Sequence, residues 1–373
     1  MEMNKMLLKN ANVFLRDSHF EKADLRIENG RITEIGCFPH EKGEDLSGKM
    51  LIPGLIDIHS HGRDGSDYED GTPEAVEVIT RSQLRQGVTS MLATTVTQSE
   101  EVILQMLNNI ATAKVSDGAE ILGINLEGPF ISAKACGAQP PEYCINPDPE
   151  VFKRYQNAAR GMIRLVTVAP ELPGALEFIS HCGVKTSAGH TTATYHQFNA
   201  ALQCGLSSVT HLFNGMPPLH HREPGVVGGA LLGDNYAEMI CDGIHLDAGA
   251  VWLAYKLKGA RRLIMISDSM SGAGLADGLY ELGRNTVTVK DGVARIANGS
   301  LAGSTSSLSK NMRNMLSWGI PPEDIIRMCT STPAAMLGIA TKGILTEGAD
   351  ADFDVMEEGF LLSSVYKAGK KMF

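Results

Sequence analysis

The chain has 373 residues, 43% of them hydrophobic, and a formal net charge of -10. That length accommodates a (β/α)8 barrel, which needs roughly 250 residues, plus a small appendage, while the acidic balance argues against nucleic acid, whose phosphates need a concentrated basic surface. No run reaches the roughly 18 consecutive apolar residues of a membrane helix, and the 7 cysteines, scattered with no CxxC pair, fit reduced thiols in the cytoplasm better than disulfides or a zinc knuckle.

The N-terminal MEMNKMLLKN lacks the apolar core and cleavage site of a secretory signal. From residue 6 to 52, short apolar runs alternate with turn residues such as Asn29-Gly30, which predicts strands and hairpins. The stretch 350–373 has the same character, so both ends are expected to build one small, sandwich-like β domain from residues 1–52 and 346–373, with a barrel over 53–345 between them.

In the middle, apolar runs recur at 51–61, 87–96, 121–130, 163–171, 184–190, 207–213, 237–245 and 261–268. Continuous apolar runs suit strands buried on both faces of a parallel sheet. The stretches between them predict helices. Thr72 caps one that has Pro73 at its first position and ends at Gly87, and Ser99 is expected to cap the next. A doubly wound sheet also alternates β and α, but the placement of polar residues favours the barrel.

Barrel enzymes carry their chemistry at the C-terminal ends of strands. Here His59 and His61, Glu127, His190, His211, His245 and Asp268 close six of the eight runs. The strand period of two puts His59 and His61 on one face, within reach of one ion. Each residue alone reads as an ordinary core histidine or a solvated carboxylate; the joint pattern predicts a metal centre. Nitrogen and oxygen ligands without thiolate suit Zn²⁺, Fe²⁺, Co²⁺ or Mn²⁺, one or two ions per subunit, with Glu127 placed to bridge a His59–His61 ion and a His190–His211 ion. Asp268 is the candidate general acid/base or, alternatively, a ligand. His245 is a candidate substrate contact or a structural residue. Asn214, Gly215 and Arg222 follow the sixth run, and a guanidinium fork suits a phosphate or carboxylate, though Arg222 reads equally as a surface ion pair. His220 and His221 read as surface residues.

The motifs LEGPF, SAGH, THLFN, REPG, DGIH and SD, in this order from PGLIDIHSHG at residue 53 onward, resemble the N-acetylglucosamine-6-phosphate deacetylases of the amidohydrolase superfamily. The resemblance implies hydrolysis of N-acetylglucosamine 6-phosphate to glucosamine 6-phosphate and acetate by a homodimer. Glu127, His190 and His211 would hold the principal metal, with a second at His59 and His61 in members that keep both. Asp268 would be the acid/base. Asn214, the Gly215 backbone and Arg222 would bind phosphate, Arg222 from across the dimer, and His245 would contact the sugar. Ala138 and Gln139, and the loop Leu301, Ala302, Gly303 and Ser304, match substrate-contacting segments. Many members carry His where this chain has Gln139, which can donate a hydrogen bond but cannot become an imidazolium. The segment 272–296 reads as a glycine-rich loop and a hairpin turning at Asp291-Gly292, either a lid or decoration. The rival readings are a deacetylase for the galactosamine epimer, a cyclic amidase without a phosphate clamp, and a barrel without catalysis.

Overall fold

The computed structural model describes residues 5–16, 19–283 and 285–373; positions 1–4, 17–18 and 284, which fall in the predicted N-terminal β unit and in the 272–296 loop, lie outside the described residues. Eight strands pair in parallel, each with its neighbour along the chain: β1 (Leu55–Asp57), β2 (Val88–Thr94), β3 (Glu120–Glu127), β4 (Ile163–Val168), β5 (Lys185–Ala188), β6 (Ser208–Val209), β7 (Tyr236–Ile240) and β8 (Leu263–Ile266). The two edges then meet. Asp268 N–H donates to the His59 carbonyl at 2.9 Å and His61 N–H to the Ser269 carbonyl at 2.9 Å, which closes the sheet into a barrel.

Each strand coincides with one of the apolar runs, β3 and β7 beginning one residue before theirs, but the ladders are shorter than the runs. The first run divides at Gly54, where a Cβ would sit 2.3 Å from the Thr89 side chain. Residues Met50–Pro53 join the sheet of the chain ends, and Leu55–Asp57 join the barrel. At the other end of the strands, His190, His211 and Asp268 have φ of 45°, 31° and 49°, so the chain leaves the ladder where it presents these side chains. Along β8, Ile264 and Ile266 pack with Ile56, Leu92, Leu165 and Ile240, while Leu263 and Met265 pack with the surrounding helices. The barrel therefore has an apolar interior and an apolar jacket, as residues alternate across each strand.

The strands of both chain ends form one mixed sheet, in which Phe353–Glu357 pairs with Met50–Pro53 and Lys5–Phe14 with Phe20–Glu28. Asn29 and Gly30, at φ 52° and 78°, make the expected two-residue hairpin turn. Thr72 Oγ1 accepts from Ala75 N–H and caps the helix Pro73–Leu84. Ser99 occupies the cap position of Glu100–Thr112 without a side-chain hydrogen bond. Among the described residues, no helix is long and apolar enough to cross a membrane.

Where the terminal sheet meets the barrel, Asp354 is fully buried. Neither of its oxygens has a hydrogen-bond partner among the described residues, the nearby Leu55 N–H being taken by the Gly87 carbonyl. Burial raises this carboxyl well above its ordinary range. A raised carboxyl adds stability that is complete below its unfolded pKa of about 3.9 and is lost as pH climbs toward the folded value. Through this group the wild type should lose up to ~1.4 kcal/mol per pH unit above about pH 4. Urea unfolding between pH 5 and 8 is expected to show a gap in favour of Asp354→Asn that widens with pH. A pH-independent gap would contradict the assignment.

Candidate metal centre and active site

The side chains at the barrel mouth come from strands too far apart in sequence to meet by any local rule. His61, Glu127, Ala138, Gln139, His190, His211, Asn214, Gly215, His245, Asp268, Leu301 and Gly303 line one cavity of about 310 Å³, with Val96, Ile240 and Leu282 as its apolar wall. His59 lies beneath its floor, wholly buried. Ala302 and Ser304 are buried behind the wall. There Ser304 N–H donates to the Asp268 carbonyl at 2.7 Å and Ser304 Oγ to the Ser267 carbonyl at 2.5 Å, so that loop holds the main chain of Asp268. Arg222 stands outside the cavity of its own chain, exposed, with Nη1 2.9 Å from His221 Nε2.

Two groups of ligand atoms converge. His190 Nε2 and His211 Nε2 each lie 3.1 Å from Glu127 Oε1 and 3.1 Å from each other. His59 Nε2 lies 3.5 Å from Asp268 Oδ1, and His61 Nε2 lies 3.3 Å from it. Glu127 also faces this second group, with Oε1 3.5 Å from His59 Nε2 and Oε2 3.3 Å from His61 Nε2. Each group brings three ligand atoms within 4.8 Å of one another.

This donor set fits a cation. His190 Nδ1 donates to the Ala135 carbonyl at 3.0 Å and His211 Nδ1 to the Asn214 carbonyl at 3.1 Å. In neutral rings the Nε2 atoms are then bare lone pairs, aimed at each other and at a carboxylate. Only positive charge between them relieves that repulsion. His59 Nε2 is buried and has no hydrogen-bond partner among the described residues, as a ligand atom facing an ion site would be. The proton affinities point the same way. Burial opposes charge on His59 and His61, yet the Glu127 and Asp268 carboxylates reverse it, lifting His59 well above its ordinary value and His61 to about 10. Burial likewise opposes ionisation of Glu127 and Asp268, but the facing imidazoles hold Asp268 below and Glu127 well below the carboxylate range. A pocket that draws protons this strongly draws other cations too.

The remaining polar groups are fixed in place. Gln139 Oε1 accepts from Thr97 N–H at 2.8 Å, which sets the amide orientation and turns Nε2 toward Glu127 Oε2 at 2.9 Å and His190 Nε2 at 3.3 Å. His245 Nδ1 donates to Asp242 Oδ2 at 2.8 Å, leaving Nε2 for the cavity. Gly215, at φ 61°, lets the main chain approach the site: a Cβ there would lie 3.1 Å from His190 Nδ1. The hairpin of Asn285–Lys290 and Val293–Arg295 turns at Asp291-Gly292 as expected. Just before it, Leu282 reaches the cavity and Gly283 N–H donates to Glu69 Oε2 at 2.8 Å, and at its first residue Asn285 Nδ2 donates to the Ala138 carbonyl at 2.7 Å. The segment is thus tied to the mouth.

A model of the amidohydrolase family matches residues 50–372. The chain belongs to the amidohydrolase family. This amidohydrolase is 41% identical to the N-acetylglucosamine-6-phosphate deacetylase of Lysinibacillus sphaericus, over 98% of this chain and 97% of that one. It is 34% identical to the N-acetylgalactosamine-6-phosphate deacetylase of Escherichia coli O157:H7, over 98% of both. Among solved structures, an Asp-to-Ala variant of the Mycobacterium smegmatis N-acetyl-D-glucosamine-6-phosphate deacetylase, in complex with N-acetyl-D-glucosamine 6-phosphate, matches 99% of both chains at 32% identity with a TM-score of 0.94.

Glu238 and Asp242 were not among the residues expected at the site. Glu238 sits in β7, wholly buried, with Oε2 2.9 Å from His59 Nδ1. Its signal was present: an acidic residue inside a strand buried on both faces must answer a positive partner. Asp242 lies in DGIH, three residues before the imidazole that it orients.

Proposed function

We propose that this amidohydrolase is a metal-dependent deacetylase that hydrolyses the acetamide of N-acetyl-D-glucosamine 6-phosphate to D-glucosamine 6-phosphate and acetate. The observation that carries the reading is the convergence of Glu127, His190 and His211, and of His59, His61 and Asp268, at the floor of one sugar-sized cavity. The Lysinibacillus sphaericus and Mycobacterium smegmatis relatives, which share nearly the whole chain, bear this activity in their names. Zn²⁺, Fe²⁺, Co²⁺ or Mn²⁺ suits the ligands, in one or two sites. A divalent ion held there would polarise the acetyl carbonyl and acidify a water at neutral pH.

In this reading the Asp268 carboxylate takes a proton from the attacking water and delivers it to the sugar nitrogen as the C–N bond breaks. Asp242 holds the Nδ1 proton of His245, so its Nε2 accepts a sugar hydroxyl. Gln139 presents a neutral amide beside Glu127 and His190 and positions without exchanging protons. Val96, Ile240 and Leu282 exclude water from the acyl group. Asn214 and the Gly215 main chain face the phosphate, and Arg222 completes that clamp from the other subunit of a homodimer. The enzyme acts in the cytoplasm on small phosphorylated amino sugars.

A substrate panel with and without the 6-phosphate tests the reading. The phosphorylated glucosamine derivative should turn over at least 10-fold faster than the free sugar, since a bidentate charge-assisted clamp is worth ~1.5–3 kcal/mol. Arg222→Ala should raise KM for the phosphorylated substrate by a similar factor, with a smaller change in kcat. Equal rates on the free sugar would remove the phosphate from the account, and a preference for the galactosamine epimer would reassign the substrate.

A further inference from the structure

Among the four imidazoles of the two ligand groups, and among the described residues, only His59 has a carboxylate hydrogen-bonded behind it. His190 and His211 turn Nδ1 to main-chain carbonyls, and His61 Nδ1 has no partner among the described residues. His59 Nδ1 instead meets Glu238 Oε2 at 2.9 Å, with both side chains wholly buried.

Glu238 is an expensive residue to place there. Oε2 receives the His211 main-chain N–H at 3.3 Å as well as His59, and Oε1 has no hydrogen-bond partner among the described residues. No lysine or arginine among the described residues forms an ion pair with it; its ion-pair partner is His59. A buried carboxylate persists where positive charge lies within reach. As a ligand the His59 ring is neutral and carries none, so with an ion bound the charge that Glu238 answers lies beyond the ring, at Nε2. There His59 faces Glu127 Oε1 and Asp268 Oδ1, each at 3.5 Å. Glu127, Asp268 and Glu238 together carry three negative charges around neutral imidazoles. Against two divalent cations that cluster leaves one positive charge, where the same two ions without Glu238 would leave two.

We propose that Glu238 is a positioning residue that makes His59, His61 and Asp268 a retained site for a second divalent cation. It fixes the His59 tautomer with its proton on Nδ1 and Nε2 aimed at the ion. It also supplies the charge that a second dication needs. A carboxylate behind a ligating imidazole raises ligand basicity, and its loss typically costs about 10–100-fold in metal affinity. The inference rests on reading the two groups as ion sites, and it assigns them different strengths of outer support.

Cobalt titration of the metal-free protein, followed by visible absorption and by metal content per subunit after gel filtration, tests it. Wild type should bind Co²⁺ in two steps. Glu238→Gln keeps the size and an acceptor for His59 but not the charge. It should weaken the second step at least 10-fold and leave the first unchanged. Glu238→Asp, which keeps the charge, should retain the second step within a few-fold. It also serves if the glutamine variant fails to fold, since a lost second step in a folded aspartate variant would contradict the charge argument. In a His59→Asn background, adding Glu238→Gln should cost little more, because Glu238 acts through that ring. Two undiminished steps in Glu238→Gln, or a full additive loss on top of His59→Asn, would overturn the role of Glu238 while leaving the ion sites standing. A single step in wild type would overturn the retained second site. No binding in wild type would overturn the ion sites themselves.

Discussion

Asp268→Asn is expected to lower kcat for acetate release by about 10³-fold or more while leaving the ion at Glu127, His190 and His211 in place. The geometry makes this a clean substitution. Asp268 N–H is held by the His59 carbonyl at 2.9 Å, and the Asp268 carbonyl accepts from Ser304 N–H at 2.7 Å, so the main chain stays put at its φ of 49°. Asparagine fills the same space and tolerates that backbone. It cannot accept a proton from water or return one to the departing amine. Turnover and metal content are measured on the same preparation. Near-wild-type turnover would remove Asp268 from the proton path, and loss of all metal would make it a ligand first.

The second large effect is expected at Glu127, whose carboxylate oxygens face both groups. Its oxygens lie 3.1 Å from His190 and His211, 3.3 Å from His61, 3.5 Å from His59 and 2.9 Å from Gln139. Glu127→Ala removes a shared ligand and frees Gln139 and two imidazoles from the orientation that it imposes. Activity should fall by about 10⁴-fold or more, the scale on which removing an essential group leaves only residual catalysis. The stability readout is independent of turnover. Metal at 100 times its dissociation constant stabilises the wild type by about 2.7 kcal/mol, since only the folded chain assembles the site. The variant should lose most of that gain. An undiminished metal-dependent rise in Tm would show that the ion binds elsewhere.

The parts of this site that were legible in sequence are those that a strand period and a strand end can announce. His59 and His61 share a face two residues apart, and Glu127, His190, His211 and Asp268 each follow an apolar run; folding brings all of them to one mouth. The eight runs likewise mark the eight strands. Their true lengths were hidden, because His190, His211 and Asp268 take left-handed backbone angles that no apolar pattern encodes. Gly54 divides one run between two sheets for a reason that lies in Thr89, far along the chain. Glu238 was masked by the apolar strand around it, and its meaning depends on His59, 179 positions away. The commitments of Gln139 to Thr97 and Glu127 are also tertiary facts. So is the anchoring of the 272–296 segment through Asn285 and the Ala138 carbonyl. Arg222 marks the limit from the other side: its motif suggested a phosphate, but its own chain leaves it exposed.

Metal-dependent deacetylation is read out by acetate release from N-acetylglucosamine 6-phosphate by the purified protein, before chelation, after it, and after return of a divalent ion. Chelation should abolish turnover, and Zn²⁺, Fe²⁺, Co²⁺ or Mn²⁺ should restore it. Turnover untouched by exhaustive chelation, or none with any of these ions, would contradict that reading.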